Sequence, residues 1–551
     1  MDTGPVTDQA NGPAARPWPH WKLRPDIAPL TQGLMVSGFG KLPTGLALFL
    51  EIAEGRSGGA WLKALENVAP VTTAEPPSDE AGERAPEHAA ALAFTWTGLQ
   101  RIGLAESALA SFSRPFREGM FQEDRLRRLG DRRGGDWQET TGGDAPLWSA
   151  NTPLRSSTEH RVGPYEVPYG NEEEFCGTAL TVHAALLVYV RDEAAAAQLE
   201  QRVVAALEPH GVRVVHRREL VLDVEKQRGY SREHFGFADG LSQPQPFDED
   251  GAVTVNGAAV IEPDPVQGAP LGEFLIGYRN GHHEVAPGPV VPGMLDSKTE
   301  DDRPEAAGLT PHSEAEGFYD FGLNGSYMVV RELRQDVAAF WNSMEANAEA
   351  IRDVDPTHSG HVTGAWLAER VVGRDRDGNL LCPGGVLPVD ERGNPDNKFL
   401  FLERDPHGAG CPLGSHVRRA NPRDALAPKP ELARSLLNAA NNHRILRRGR
   451  KYGPKIENTR EDDGQERGLL FMCLNTDIAR QFEFVQQTWL LNSDFATLFD
   501  EVDPLVGPMG HMTINEEPLR RRVNVETFVK MRGGDYFFLP SLPALRYLAA
   551  L

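Results

Sequence analysis

The sequence predicts an α+β protein of two lobes, antiparallel sheets with helices packed on them, the first lobe being ferredoxin-like. Three observations carry this. Twice in the first half an apolar strand, an amphipathic helix and a second strand follow one another, as split β-α-β units do. The second half repeats the alternation less regularly. The chain has 551 residues, several times what closes comfortably around one core.

The first unit is GLALFLEI (45–52) as a buried strand, GGAWLKALENVA (58–69) as a short helix and AAALAFTWTGLQRIG (89–103) as a strand running into a helix. LTVHAALLVYV (180–190), RDEAAAAQLEQRVVAAL (191–207) and GVRVVHRREL (211–220) form the second. Between them, residues 110–175, with GDRRGGDW and TTGGDAP, read as loop over much of their length. In the second half GSYMVVREL (325–333) and GLLFMCL (468–474) read as strands, and QDVAAFWNSMEANAEAI and IARQFEFVQQTWLL (478–491) as helices. Residues 281–318, rich in Pro, Gly and acidic side chains, read as a surface insertion. The expected division is a flexible tail over 1–25, a first lobe over 26–230 and a second over 231–551.

Composition narrows the function. A net charge of -22 argues against nucleic acid, which needs a concentrated basic face. No stretch approaches the length and apolarity of a membrane span. The opening residues lack an apolar segment of signal-peptide length, and Cys176, Cys382, Cys411 and Cys473 form no CxxC pair. A cytoplasmic protein with reduced thiols is therefore expected. The apolar carboxy terminus, GGDYFFLPSLPALRYLAAL, suits packing on the body or contact with another subunit in a homo-oligomer; packing is expected.

Four segments carry chemistry. In HFGFADGLSQPQP (234–246), Gly236 and Gly240 flank the carboxylate of Asp239, which suits a backbone passing close to something flat. A plain Asp-Gly turn is the simpler reading of that segment alone. CPLGSHVRRANPRD (411–424) sets His416 beside Arg418 and Arg419, and NNHRILRRGRKYGP (441–454) places Arg447 after the apolar pair Ile445 and Leu446. Two basic segments inside an acidic chain suggest a pocket for an anionic cofactor, although ion-paired surface strands have the same composition. In GLLFMCL, Leu469 and Phe471 sit at strand spacing and face one side. Asp-rich turns in VGRDRDGNLL and FDEDGAVTV lack a full calcium ladder and read as hairpin turns. His282, His283 and Glu284 lack HExxH spacing, and no GxSxG elbow or Walker loop occurs.

In this order, GFADG (236–240), SHVRRANPRD (415–424), HRILRRGRKYGP (443–454) and GLLFMCL resemble the dye-decolorizing peroxidase family. FTWTGLQRIGL, the FREGM box (116–120) and GSYMVVRELRQDVAAFW extend the likeness over roughly residues 26 to 540. The resemblance implies two ferredoxin-like lobes, with one haem b per chain held mainly by the second. It implies Asp239 as the distal carboxylate, His416 as the proximal iron ligand and Arg447 as the distal arginine, with Arg448 as its rival. Leu469 and Phe471 would line the distal side. DPLVG (503–507) resembles the segment that gives the proximal histidine its carboxylate, which points to Asp503. Arg418 and Arg419 are the propionate candidates.

The expected activity is haem-dependent reduction of hydrogen peroxide with oxidation of dyes, phenols or similar donors, favoured at mildly acidic pH. Asp239 would move the proton and Arg447 stabilise the developing charge. The rival is a haem-binding protein for storage, delivery or iron release, which has no need of Asp239 and Arg447.

Overall fold

In the computed structural model the described residues are 21–55, 58–76, 87–153, 161–162, 165–166, 177–224, 230–293, 303–390, 393–516 and 518–551. Cys176 and residues 1–20 of the expected tail lie outside them.

In the first lobe β1 (Thr44–Ile52), α1 (Ala60–Glu66), β2 (His88–Phe94), β3 (Ala184–Val190), α2 (Glu193–Leu207) and β4 (Val212–Val221) follow in sequence. The strands pair antiparallel in the spatial order β4-β1-β3-β2, the ferredoxin-like arrangement. The start of α2 is set by a side-chain cap, since the Asp192 carboxylate accepts from Ala195 N.

The second lobe repeats the plan with β5 (Ser326–Gln335), α3 (Val337–Val354), β6 (Arg450–Tyr452), β7 (Gly468–Asn475) and β8 (Val529–Leu539). A helical run in π-type turns, Ala479–Glu483 and Val485–Leu490, stands between β7 and β8. The spatial order is β6-β7-β5-β8, the same order read from the other edge.

The two sheets close on each other. β4 pairs with β6 through Leu220↔Tyr452 and Val221↔Lys451, and β2 pairs with β8 at Phe94↔Phe538. At each junction the second strand of one lobe meets the fourth of the other, so the eight strands form a barrel with no free edge. Alternation then sorts the side chains. Phe49, Ala91, Leu187, Val330, Met472 and Phe537 fill the barrel, whereas Leu48, Leu92, Leu186 and Val329 face outward beneath the helices.

Two expectations are corrected. Trp21–Leu23, placed in the tail, is a buried strand paired with Val253–Val255. The region 110–175, read as loop over much of its length, contains helices Arg114–Glu118 and Glu123–Leu129. Each helix is too short to show the apolar period on which that reading relied. The carboxy terminus packs on the body as expected, with Leu545 and Leu548 buried.

Candidate active site

The outward face of the second sheet meets a cavity lined by Leu333, Gln335, Leu469 and Phe471 from β5 and β7. Leu469 and Phe471 share that face, as strand spacing predicts. Asp239 and Arg447 line the same cavity, and so does His416.

Asp239 is positioned by a two-residue hairpin rung, Ser231↔Asp239 and Arg232↔Ala238. Glu233 fastens the turn: Oε1 accepts from Phe237 N at 2.8 Å, and Oε2 accepts from Phe235 N at 2.8 Å and from Gln335 Nε2 at 2.6 Å. Gly236 has φ 97°, and a Cβ there would stand 2.6 Å from Arg376 Nη2, so glycine is required. Burial pushes the Glu233 carboxyl up to about 7 against those hydrogen bonds.

Arg447 is joined to the same loop. Its N–H donates to Gln243 Oε1 and its carbonyl accepts from Gln243 Nε2, both at 3.1 Å. Its Nη2 donates to Ser242 O at 2.9 Å, and its Nη1 stands 3.8 Å from Asp239 Oδ1. Arg448 turns the other way. Its Nε and Nη2 donate to Leu34 O and Met35 O at 2.7 and 2.6 Å, pinning the two lobes together. Adjacent residues of an extended segment face opposite sides, so only Arg447 reaches Asp239.

His416 opens a five-residue helix, His416–Ala420. Its Nδ1 stands 2.9 Å from Asp503 Oδ2, while Leu505 N and Val506 N each donate to Oδ1 at 2.9 Å. Burial opposes ionisation of Asp503, but His416 and these donors hold its carboxyl below the usual carboxylate range. A carboxylate accepting from Nδ1 leaves the lone pair on Nε2 and fixes the ring.

Four further arginines line the cavity: Arg331, which is paired with Asp131 at 2.6 Å, and Arg374, Arg423 and Arg444. Arg374 donates to Gly378 O and Asn397 Oδ1, Arg423 to Asn397 O and Phe399 O, and Arg444 to Gln267 Oε1. Those partners are all neutral. Arg444 Nη1 is buried without a partner. Burial pushes Arg374 and Arg444 down to about 10, and burial together with repulsion from Arg444 and Arg374 pushes Arg423 well below its ordinary value. Three buried cations without carboxylate partners form a socket for an anion.

The Amycolatopsis sp. protein named multifunctional dye peroxidase DyP2 is 31% identical over 382 residues, 63% of this chain and 67% of that protein. The chain belongs to the dye-decolorizing peroxidase family. Dye-decolorizing peroxidase msp1 of Mycetinis scorodonius is 28% identical over 358 residues, and the match spans 59% of its length. A deferrochelatase of Yersinia pestis is 28% identical over 231 residues, 36% of that protein. In fold, the DyP-type peroxidase of Anabaena sp. matches with a TM-score of 0.65 at 22% identity, over 95% of each chain. No protein-family model matches the chain.

For a dye-decolorizing peroxidase the socket fits haem, with an imidazole for the iron and guanidinium groups for the two propionates. Here the sequence expectation for Arg418 and Arg419 is corrected. Both are buried away from the cavity, at 1% and 0% exposure. Arg418 donates to Asp405 O and Cys411 O and stacks on Phe401. Arg419 donates to Gly414 O, Trp489 O and Glu501 O. They fasten the loops that carry His416. Arg423, five residues beyond the first of them, takes the cavity position with φ 52°. Which arginine of the basic motif turns inward depends on that left-handed residue.

Proposed function

We propose that this chain is a haem peroxidase that reduces hydrogen peroxide and oxidises dyes, phenols or similar small donors. One haem b per chain would be held by His416 and by the socket of Arg374, Arg423 and Arg444. The observation that carries the reading is the Asp239–Arg447 pair, 3.8 Å apart in the same cavity as a carboxylate-braced histidine. Haem, when bound, supplies the redox-active iron.

The chain's own residues supply the proton and charge handling. Gly240 N donates to Asp239 Oδ1 at 2.6 Å, which supports Oδ2 as the atom that moves the proton. From there Asp239 takes the proton of one peroxide oxygen and returns it to the other as that oxygen departs. Arg447 keeps its charge throughout and stabilises the negative charge that develops on the departing oxygen. Leu469 and Phe471 present an apolar wall, which limits water beside the reacting groups. Asp503 makes His416 a stronger donor through Nδ1.

A haem carrier, the reading that the shorter deferrochelatase match favours, needs the socket and His416 but not Asp239 and Arg447. Arg447→Leu separates the two. The variant should still bind haem, with an unchanged ferric Soret band, and its reaction with peroxide should slow roughly 100-fold or more. A variant that keeps its wild-type peroxide rate contradicts the assignment.

A further inference from the structure

Across Phe471 from Arg447, the cavity holds a second arginine–carboxylate pair, Arg331 with Asp131. Arg331 on β5 pairs directly with Phe471 on β7, and Arg447 pairs with Cys473 at the other edge of β7. Directly paired residues share a face, as do residues two apart on one strand. Arg331, Phe471 and Arg447 therefore all point outward from the second sheet. The backbones of the two arginines are two strand spacings apart, on the order of 10 Å.

Arg331 is 5% exposed and Asp131 0%. Only Nη2 of the guanidinium is engaged: it donates to Asp131 Oδ1 at 2.6 Å and meets Met531 Sδ at 2.8 Å. Nε and Nη1, which carry most of the N–H bonds, have no acceptor among the described residues, and Asp131 Oδ2 has no donor. Thr140, in the same wall, gives its hydroxyl proton to Gly130 O at 2.6 Å. Burial raises the Asp131 carboxyl above its ordinary range against the pull of Arg331, as befits a carboxylate short of donors. Buried polar groups left in this condition are rare and costly.

Haem b does not satisfy them. Its two propionates match the socket of Arg374, Arg423 and Arg444, and its other edge groups are hydrocarbon. Arg331 and Asp131 bear opposite charges, so a charged ligand would bring an unbalanced charge into a buried place. The ligand that matches is small and uncharged, accepts from N–H groups and donates to a carboxylate oxygen. Hydrogen peroxide does both, with two oxygens and two O–H groups. Water has the same chemistry on a single oxygen.

Resting on the peroxidase reading, we infer that Arg331 and Asp131 form a waiting site for hydrogen peroxide, from which the intact molecule passes to Asp239 and Arg447. Arg331 donates to a peroxide oxygen, Asp131 Oδ2 accepts from an O–H, and no bond of the peroxide breaks there. Gln335 offers a further acceptor in the same cavity. Its Oε1 has no partner among the described residues, and its Nε2 donates at 2.6 Å to Glu233, in the turn that carries Asp239.

The test follows the Soret band of haem-loaded protein by stopped flow over a wide range of peroxide concentration. In wild type the observed rate should saturate, because filling the waiting site precedes transfer. Arg331→Lys keeps the ion pair with Asp131 and removes the Nε and Nη1 donors. Its half-saturating peroxide concentration should rise roughly tenfold or more, while the limiting rate per bound haem holds. Arg331→Met combined with Asp131→Leu removes both buried charges together, which a fold tolerates better than the loss of one, and should show the same split. A crystal loaded with zinc protoporphyrin, which does not react with peroxide, should show two bonded oxygens between Arg331 and Asp131 after a peroxide soak. A wild-type rate strictly proportional to peroxide, an unchanged half-saturating concentration in both variants, or a single water oxygen in the soaked crystal overturns the waiting site. A wild-type Soret band that does not respond to peroxide overturns the peroxidase reading instead, and the zinc-loaded crystal still decides the site.

Discussion

Asp503 braces His416 from 87 residues further along the chain, with its buried Oδ2 at 2.9 Å from Nδ1. That contact joins two loops which nothing in the local sequence brings together. Asp503→Asn keeps the size of the side chain and removes the charge. It should weaken haem retention or activity by ~10–100-fold, measured as Soret absorbance per chain after gel filtration and as turnover. Retention and turnover both equal to wild type would refute the role given to Asp503.

Arg448 should behave as a structural residue. Arg448→Met loses two charge-assisted hydrogen bonds to Leu34 O and Met35 O, at a cost of about 3 kcal/mol. The denaturation midpoint should fall, while the peroxide rate per bound haem stays near wild type. A selective loss of peroxide rate would make Arg448 the distal arginine.

The arginine socket makes opposite predictions for the empty and the loaded protein. In haem-free protein Arg444→Leu removes a cation that repels Arg423 and leaves Gln267 Oε1 without that donor. Stability should change little. Haem affinity should drop roughly tenfold or more, as expected when a buried charge pair worth over ~1.4 kcal/mol is lost. Haem titration followed at the Soret band reads both affinities.

Glu233 predicts a pH dependence of stability. Burial raises its carboxyl from 4.5 to about 7. The folded chain therefore holds this proton more tightly than the unfolded chain does. Its contribution is fully present below about 4.5 and is lost as pH rises through about 7. Glu233→Gln should flatten the fall in unfolding free energy across that window, measured by urea denaturation at several pH values. An unchanged slope would contradict the shift.

Much of this was legible in the sequence, for physical reasons that differ by residue. The strand period that puts Leu469 and Phe471 on one face survives in the barrel because pairing fixes it. The first lobe's strands and helices were readable because their apolar periods are long. Asp239, His416 and Arg447 stand in short segments whose order resembles that of the family, and all three line one cavity. Arg374 was not legible. Its segment, VGRDRDGNLL, is the hairpin turn it was read as, with Gly378 N donating to Asp375 O, yet the residue that opens the turn lines the cavity. Arg418 was misassigned because in a single turn of helix a residue two positions from His416 points to the opposite face.

The most direct test of the central claim is the reaction of haem-loaded protein with hydrogen peroxide, followed by stopped flow at the Soret band in wild type and in Asp239→Asn. Rapid loss of the ferric band in wild type, slowed roughly 100-fold or more in the variant with haem content unchanged, is the result expected of a distal base. Equal rates in the two proteins, or a wild-type ferric band that does not respond to peroxide, would contradict it.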